Sequence, residues 1–265
     1  MKPARFDYAR PASLDDAIGL LGTEDVFAKA LAGGQSLGPM LNLRLVQPEL
    51  LVDISRLPEL AEVGEENEGL TLGAGITHAA IEDRRVPDVT AGMLPRVAGQ
   101  IAFRAVRNRG TLGGSLAHGD PAADWVTCLA ALGAEVVIRG RAGRRQVAVA
   151  DLMRGAFETG LEADELLTAI RVPRLAGGAR WGYYKVCRKI GELAEAVAAV
   201  VHDPERGVYR AVVGATHGSP IVIAEARDAG AAAEVMAAAA QGFDDYETQV
   251  HEVALRRAFQ ALEQG

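Results

Sequence analysis

Two short segments constrain this chain more than any other feature. AGGQS at 32–36 and TLGGS at 111–115 each set two adjacent glycines and a hydroxyl residue beside an apolar stretch. Glycine takes up backbone conformations barred to other residues and lets the main chain approach a bulky group closely. Successive N–H groups in such a turn make a concave cup for an anion. Two cups suit a diphosphate gripped from two sides. Ala32, Gly33, Gly34, Gln35 and Ser36 would form one, and Thr111, Leu112, Gly113, Gly114 and Ser115 the other, with three hydroxyls adding donors. The same residues also suit two plain chain reversals, and composition alone leaves both readings open.

Other function classes are excluded more firmly. With 265 residues the chain has room for one or two domains at roughly 150 residues each. Hydrophobic residues at 49% and charged residues at 24% describe a globular chain, not a disordered, collagenous or coiled-coil one. The net charge of −7 argues against a nucleic-acid surface, which needs a basic stripe to neutralise phosphates. FRAVRNRG and RGRAGRR are short basic clusters, the second read as a solvated turn. No apolar run approaches the ~18 residues of a membrane span, and the first residues lack the apolar core of a signal peptide. A cytoplasmic location is the expectation. Only Cys128 and Cys187 are present, whereas an iron–sulfur cluster takes four cysteine ligands. No C-x-x-C or H-x-x-x-H spacing occurs, so no metal site is expected.

The element pattern is mixed. Ser13 and Asp16 are spaced as a helix start, and Leu14, Ala17, Ile18 and Leu21 follow at helical spacing. Strands are predicted at 26–31, 50–54 and 70–77, and a helix from Thr77. A helix is predicted over 88–106, and another over DPAADWVTCLAALG with Pro121 in its first turn and Gly133 beyond its end. AEVVIRG, RQVAVADL and ELLTAIRVP read as strands, the last closed by Pro173. After RLAGGARWG the pattern changes to a meander of three longer strands, YYKVCR, EAVAAVVH and VYRAVVGATHG. From Ser219 the tail reads as helical, ending in a helix over 244–263 with Val250, Val253, Ala254, Ala258 and Leu262 on one stripe. The boundary falls near 173–180.

Known nucleotide patterns fit poorly. GAGITH at 73–78 begins like a dinucleotide fingerprint but places His78 at the third glycine position, and no Walker lysine occurs. GQSLG at 34–38 matches the nucleophile elbow of serine hydrolases. That leaves a hydrolase using Ser36 as a rival, although only one clear strand precedes the elbow.

Taken together, AGGQSLGPMLNLRL, LLVDI, LTLGAGITH, VRNRGTLGGSLAHGDPAADW, ELLTAIRVP and YYKVCRK stand in the order and spacing of one family. The chain resembles the FAD-binding medium subunit of the molybdenum hydroxylases, the xanthine dehydrogenase and carbon monoxide dehydrogenase family. The resemblance implies an α+β fold: a two-lobed FAD-binding module of the vanillyl-alcohol-oxidase (PCMH) type at 1–175, its lobes divided near 55–60. A small C-terminal α+β domain at 176–265 would follow, a three-stranded antiparallel sheet with helices. It further implies that 32–36 and 111–115 hold the FAD diphosphate non-covalently. Ile101, Asp124, Leu167 and Lys185 fall on the family's flavin-side positions, where a lysine cation suits a reduced, anionic flavin. No residue is assigned a catalytic acid–base role.

The family aromatic that covers the flavin ring has no counterpart, since Leu193 stands in the RKIGELAEA segment; Tyr183 and Tyr184 are the nearby aromatics. His78 and His118 are not assigned to covalent flavin attachment, Cys128 is read as core, and Cys187 is given no role. The implied partners are a large molybdenum-cofactor subunit and a small subunit with two [2Fe–2S] clusters, assembled as a dimer of heterotrimers. Electrons would pass from those clusters through FAD to NAD, a quinone or oxygen. A self-sufficient FAD oxidoreductase of the same flavin fold is the other alternative. The substrate stays open among carbon monoxide, aldehydes and purines or other heteroaromatics.

Overall fold

Ser13 starts the first helix as its spacing predicts. Its hydroxyl accepts the Asp16 N–H, and α1 (Leu14–Leu21) buries Leu14, Ala17, Ile18 and Leu21. The computed structural model describes residues 2–224 and 227–264; Met1, Glu225, Ala226 and Gly265 lie outside the described residues. The helix packs on a parallel sheet of β1 (Asp7–Ala9), β2 (Ala28–Leu31) and β3 (Leu50–Asp53), in the order β1-β3-β2. Between β2 and β3 runs the first glycine segment and a short helix, α2 (Leu37–Asn42).

A 3₁₀ turn at Pro58–Ala61 leads into a second sheet. It comprises β4 (Val63–Glu66), β5 (Gly69–Gly73), β6 (Glu135–Gly140), β7 (Gly143–Ala148) and, after the ribbon β8 (Met153–Gly155) and β9 (Glu158–Thr159), β10 (Leu166–Pro173). The order is β4-β5-β10-β6-β7, with every pairing antiparallel. Between β5 and β6 lie α3 (His78–Glu82), α4 (Met93–Ala98), α5 (Arg104–Arg107), α6 (Leu112–His118) and α7 (Asp124–Leu132). Alternating Leu70 and Leu72, Val136 and Ile138, and Ile170 and Val172 form one buried sheet face in the same core as α7, a helix buried all round.

Three expectations change here. The strand predicted over 70–77 stops at Gly73, because Gly73 and Gly75 turn aside to donate to Glu62 O and Leu60 O. The helix predicted over 88–106 is two short helices. Asp88 gathers the Thr90 and Gly92 N–H groups into a turn before the first, and Ala102 at φ 42° interrupts the chain before the second. Pro121 precedes α7 instead of entering it, since helix geometry begins after Ala123; Gly133 ends it at φ 74°.

The third sheet is β11 (Arg180–Val186), β12 (Ala196–Asp203), β13 (Val208–Gly214) and β14 (Ile221–Ala224), consecutive and antiparallel. It has four strands, not three. The β-branched run at 221–223 pairs with β13 where a helical tail was expected. β12 lacks polar alternation because both its faces are covered. Val197, Ala199 and Val201 join the core around α7, while Ala196, Ala198 and Val200 meet α8 (Ala229–Ala239) and α9 (Asp245–Gln264). The buried stripe of α9 is rotated from the predicted one: His251, Leu255 and Phe259 join Ala254, Ala258 and Leu262, while Val253 is only half-buried.

Gly182 on β11 has no room for a side chain, since a Cβ there would lie 1.9 Å from Ala258 O of α9. Gly182→Ala should therefore push the helix off the sheet and cost more than about 2 kcal/mol. Urea unfolding measures this, and an unchanged midpoint would show that α9 does not press on the sheet at this point.

Candidate functional site

The two glycine segments meet at Gly33. A Cβ at this position would fall 1.9 Å from Arg109 O and 3.1 Å from Gly110 Cα, so two backbones touch with nothing between them. Arg109 and Gly110 lead directly into Thr111. Loop 32–36 therefore lies against the start of the second glycine segment.

Their amides differ. Among the described residues, the N–H groups of Gly33, Gly34, Gln35 and Ser36 donate to no protein oxygen. Gly34 takes φ 70°, the left-handed region glycine permits, and Gln35 Nε2 donates to Gly33 O at 3.1 Å across the loop. Free successive N–H groups around a left-handed glycine fit a phosphate. The second segment is not a matching cup but the first turn of α6. Leu112 and Gly113 donate to Ile76 O and Ala74 O, both at 2.9 Å. Gly114 N donates to Thr111 Oγ1 at 3.1 Å and Ser115 N to Thr111 O at 3.0 Å. Gly113 is required for contact: a Cβ would meet Ala74 Cβ at 2.4 Å. Gly114 is exposed and Ser115 half-buried, so the segment offers a close backbone surface where free amides were expected.

A second cluster lies where the third sheet meets α7. Asp124 opens α7 and Lys185 comes from β11; each side chain is 5% exposed, and Lys185 Nζ lies 2.8 Å from Asp124 Oδ1. Lys185 Nζ also donates to Gln100 O at 2.9 Å. That places the cation beside Ile101, whose carbonyl accepts from Arg107 Nη1 at 3.0 Å. Arg107 is itself held by Glu82 through bonds of 2.8 and 2.9 Å. Tyr183, two residues before Lys185 and on the same face, donates its hydroxyl to Asp124 Oδ1 at 2.5 Å. Burial, then Asp124, pushes its phenol well above the usual tyrosine range. Tyr183 is thus packed away from any ring-covering role, and Tyr184 projects from the opposite face of the strand. Leu167 is buried at a bulge of β10, beside Thr168, whose carbonyl accepts the Ala74 N–H at 2.9 Å.

His78 joins the two regions. Its N–H donates to Gly110 O at 2.9 Å, and its Nδ1 accepts from Trp125 Nε1 at 3.0 Å. Burial, with Arg107 nearby, lowers its pKa to about 4. Gln100, Arg107, His78 and Trp125 were not singled out as site residues from sequence, and Tyr183 was named only as an aromatic near the ring. Arg107, His78, Trp125 and Tyr183 fall inside the family-like segments; Gln100 does not.

Ser36 Oγ is exposed and bonds to no histidine among the described residues. A hydrolase needs that bond, and the Ser36 reading has no support. Cys128 lies in the core, its thiol pushed up by burial. Among the described residues, no helix is long and apolar enough to cross a membrane, and no group of three acidic, histidine or cysteine side chains is placed to hold a metal.

Comparison with known proteins agrees with the geometry. Residues 4–175 match a family described as the FAD-binding domain in molybdopterin dehydrogenase. The chain is 42% identical over 201 residues to the carbon monoxide dehydrogenase medium chain of Hydrogenophaga pseudoflava, covering 76% of this chain and 70% of that one. It is 39% identical over 201 residues to the nicotine 6-hydroxylase medium subunit of Paenarthrobacter nicotinovorans, with the same coverage of 76% and 70%. The solved carbon monoxide dehydrogenase of H. pseudoflava contains a chain that superposes with a TM-score of 0.91 at 34% identity, covering 100% of this chain and 99% of that one.

His78 generates a pH prediction. Its folded-state pKa of about 4 lies below the unfolded value of 6.5, so the unfolded chain binds the extra proton first. Stability is full above pH 6.5 and falls as the pH drops toward 4, by up to about 3 kcal/mol. Urea titrations across that range should show the loss in the wild type and a flatter profile in His78→Asn; parallel profiles would contradict the buried, neutral ring.

Proposed function

This chain belongs to the FAD-binding family of molybdopterin dehydrogenases, and from that premise we propose how it serves as the flavin subunit of a molybdenum hydroxylase. It binds one FAD non-covalently in the cleft between its lobes. It takes electrons from the [2Fe–2S] clusters of a small partner subunit and delivers them to an external acceptor such as NAD, a quinone or oxygen. The carrying observation is the backbone contact of Gly33 with Arg109, which puts the free amides of 33–36 beside the 111–115 segment.

In this reading Ala32, Gly33, Gly34, Gln35 and Ser36 hold the diphosphate with their N–H groups. Thr111, Leu112, Gly113, Gly114 and Ser115 form the opposite wall, where missing side chains permit close approach. Ile101, Asp124, Leu167 and Lys185 border the flavin end. Bound FAD supplies the electron-accepting and electron-donating chemistry; the protein supplies binding, orientation and electrostatics. Lys185, pinned to Asp124 Oδ1 and Gln100 O, places a fixed cation at that end, favouring an anionic, reduced cofactor. No side chain here acts as an acid or base on substrate.

Substrate oxidation belongs to a large partner subunit that carries the molybdenum cofactor. The two relatives bear the names of different substrates, carbon monoxide and nicotine, at nearly equal similarity to this chain. That supports a flavin subunit that does not choose the substrate. We assign residues 1–175 to the FAD-binding module and 176–265 to a C-terminal domain that docks on it. A dimer of heterotrimers in the cytoplasm completes the proposal.

Gly33→Ala and Gly34→Val test the clamp. Each should weaken FAD binding at least about a hundredfold and leave the protein colourless after gel filtration, with Gly34→Val, whose Cβ meets only the Leu31 side chain, keeping its circular dichroism. Stoichiometric flavin absorbance in both variants would overturn the assignment.

A further inference from the structure

Tyr183 is the polar side chain at the flavin end that the proposed function leaves without a role. It is 7% exposed, and its hydroxyl is given to the same oxygen, Asp124 Oδ1, that pairs with Lys185. A buried phenol is costly unless its hydroxyl is satisfied. A hydroxyl donating to a carboxylate makes one of the stronger hydrogen bonds in a protein. The arrangement has a chemical consequence. Oδ1 accepts the Tyr183 hydroxyl and pairs with the Lys185 ammonium, and among the described residues Oδ2 accepts from none. Lys185 Nζ carries three N–H groups; it gives one to Gln100 O and stands 2.8 Å from Asp124 Oδ1 as an ion pair. An acceptor on Asp124 and a donor on Lys185 are therefore left over within one ion pair. A cofactor edge that presents an N–H next to a carbonyl needs that pair.

We propose that Tyr183 is a positioning residue of the flavin site. By occupying Asp124 Oδ1 it orients the carboxylate and fixes Lys185, so that Oδ2 and one Lys185 N–H stand ready for the polar edge of the flavin ring. The inference rests on the FAD reading above and adds a residue to it. Because Tyr183 and Lys185 come from β11 and Asp124 from α7, the third sheet completes the ring end of the site. The glycine segments that face the phosphates lie wholly within 1–175.

The test compares two probes on the full chain, wild type and Tyr183→Phe. ADP reaches only the phosphate end, while FAD reaches both ends. Affinities are measured for ADP, for oxidised FAD and for dithionite-reduced FAD, the last two giving a reduced-to-oxidised preference. Tyr183→Phe should bind ADP like the wild type, weaken FAD roughly tenfold and shrink the preference for reduced FAD by a similar factor. Asp124→Asn should show the same pattern, more strongly. A wild-type chain that binds ADP and FAD, with a Tyr183→Phe variant matching it on both FAD forms, overturns the role of Tyr183 and leaves the clamp intact. Equal loss of ADP and FAD in the variant shows a merely structural tyrosine and also overturns it. A wild-type chain that takes neither probe overturns the FAD reading and this inference together.

Discussion

The structure depends on a place where two main chains touch without a side chain between them. Gly33 lies against the carbonyl of Arg109 at a separation that a single methyl group would abolish. The contact joins a parallel three-stranded lobe to an antiparallel five-stranded one. It also separates free amides from bonded ones. The first glycine segment rests on the second by its Cα and keeps its own N–H groups free. The second segment spends its N–H groups on residues 74 and 76 and on its own turn, and so becomes a rigid wall. In the proposed reading, a free donor set against a fixed surface suits a pyrophosphate with little ordering on binding, because the wall is already hydrogen-bonded in place.

The buried Asp124–Lys185 cluster follows a different logic. Burying a lysine and an aspartate together carries a desolvation cost that the pair repays only with good geometry and further hydrogen bonds. Gln100 O and the Tyr183 hydroxyl supply those bonds. The charges are tied to three separate parts of the chain: the turn after α4, the start of α7 and the strand β11. Sheet three thus serves as more than an appendage. Its inner face, with Val197, Ala199 and Val201 against the main core, holds Lys185 at a fixed depth.

Much of this was legible in the sequence where a local rule governs. Ser13 with its apolar repeat gave α1, Gly133 ended α7, and AEVVIRG and ELLTAIRVP formed strands as read, whereas RQVAVADL leaves its strand at Ala148 for a 3₁₀ turn over Val149–Asp151. The rules failed where a distant partner decides. After Gly73 the chain leaves its strand and Gly75 donates to Leu60 O, a distant pairing that the local apolar pattern does not show. Ala102 takes a left-handed conformation that alanine does not advertise. The TLGGS segment reads like the first cup, yet Thr111 caps it into a helix and its amides turn inward. The candidate residues Asp124 and Lys185 came from family resemblance, and no spacing between positions so far apart could have shown that they meet. Tyr183 needed the structure, since only the strand register sets its hydroxyl on the same oxygen.

Amide hydrogen exchange, read residue by residue with and without FAD, tests the central claim most directly. Leu112 and Gly113 should be protected in both states, since their partners are the protein's own carbonyls. The amides of 33–36 should exchange fast in the free chain and slow by at least about tenfold once one equivalent of FAD is bound. Stoichiometric flavin with those four amides still exchanging at the free rate would contradict the account.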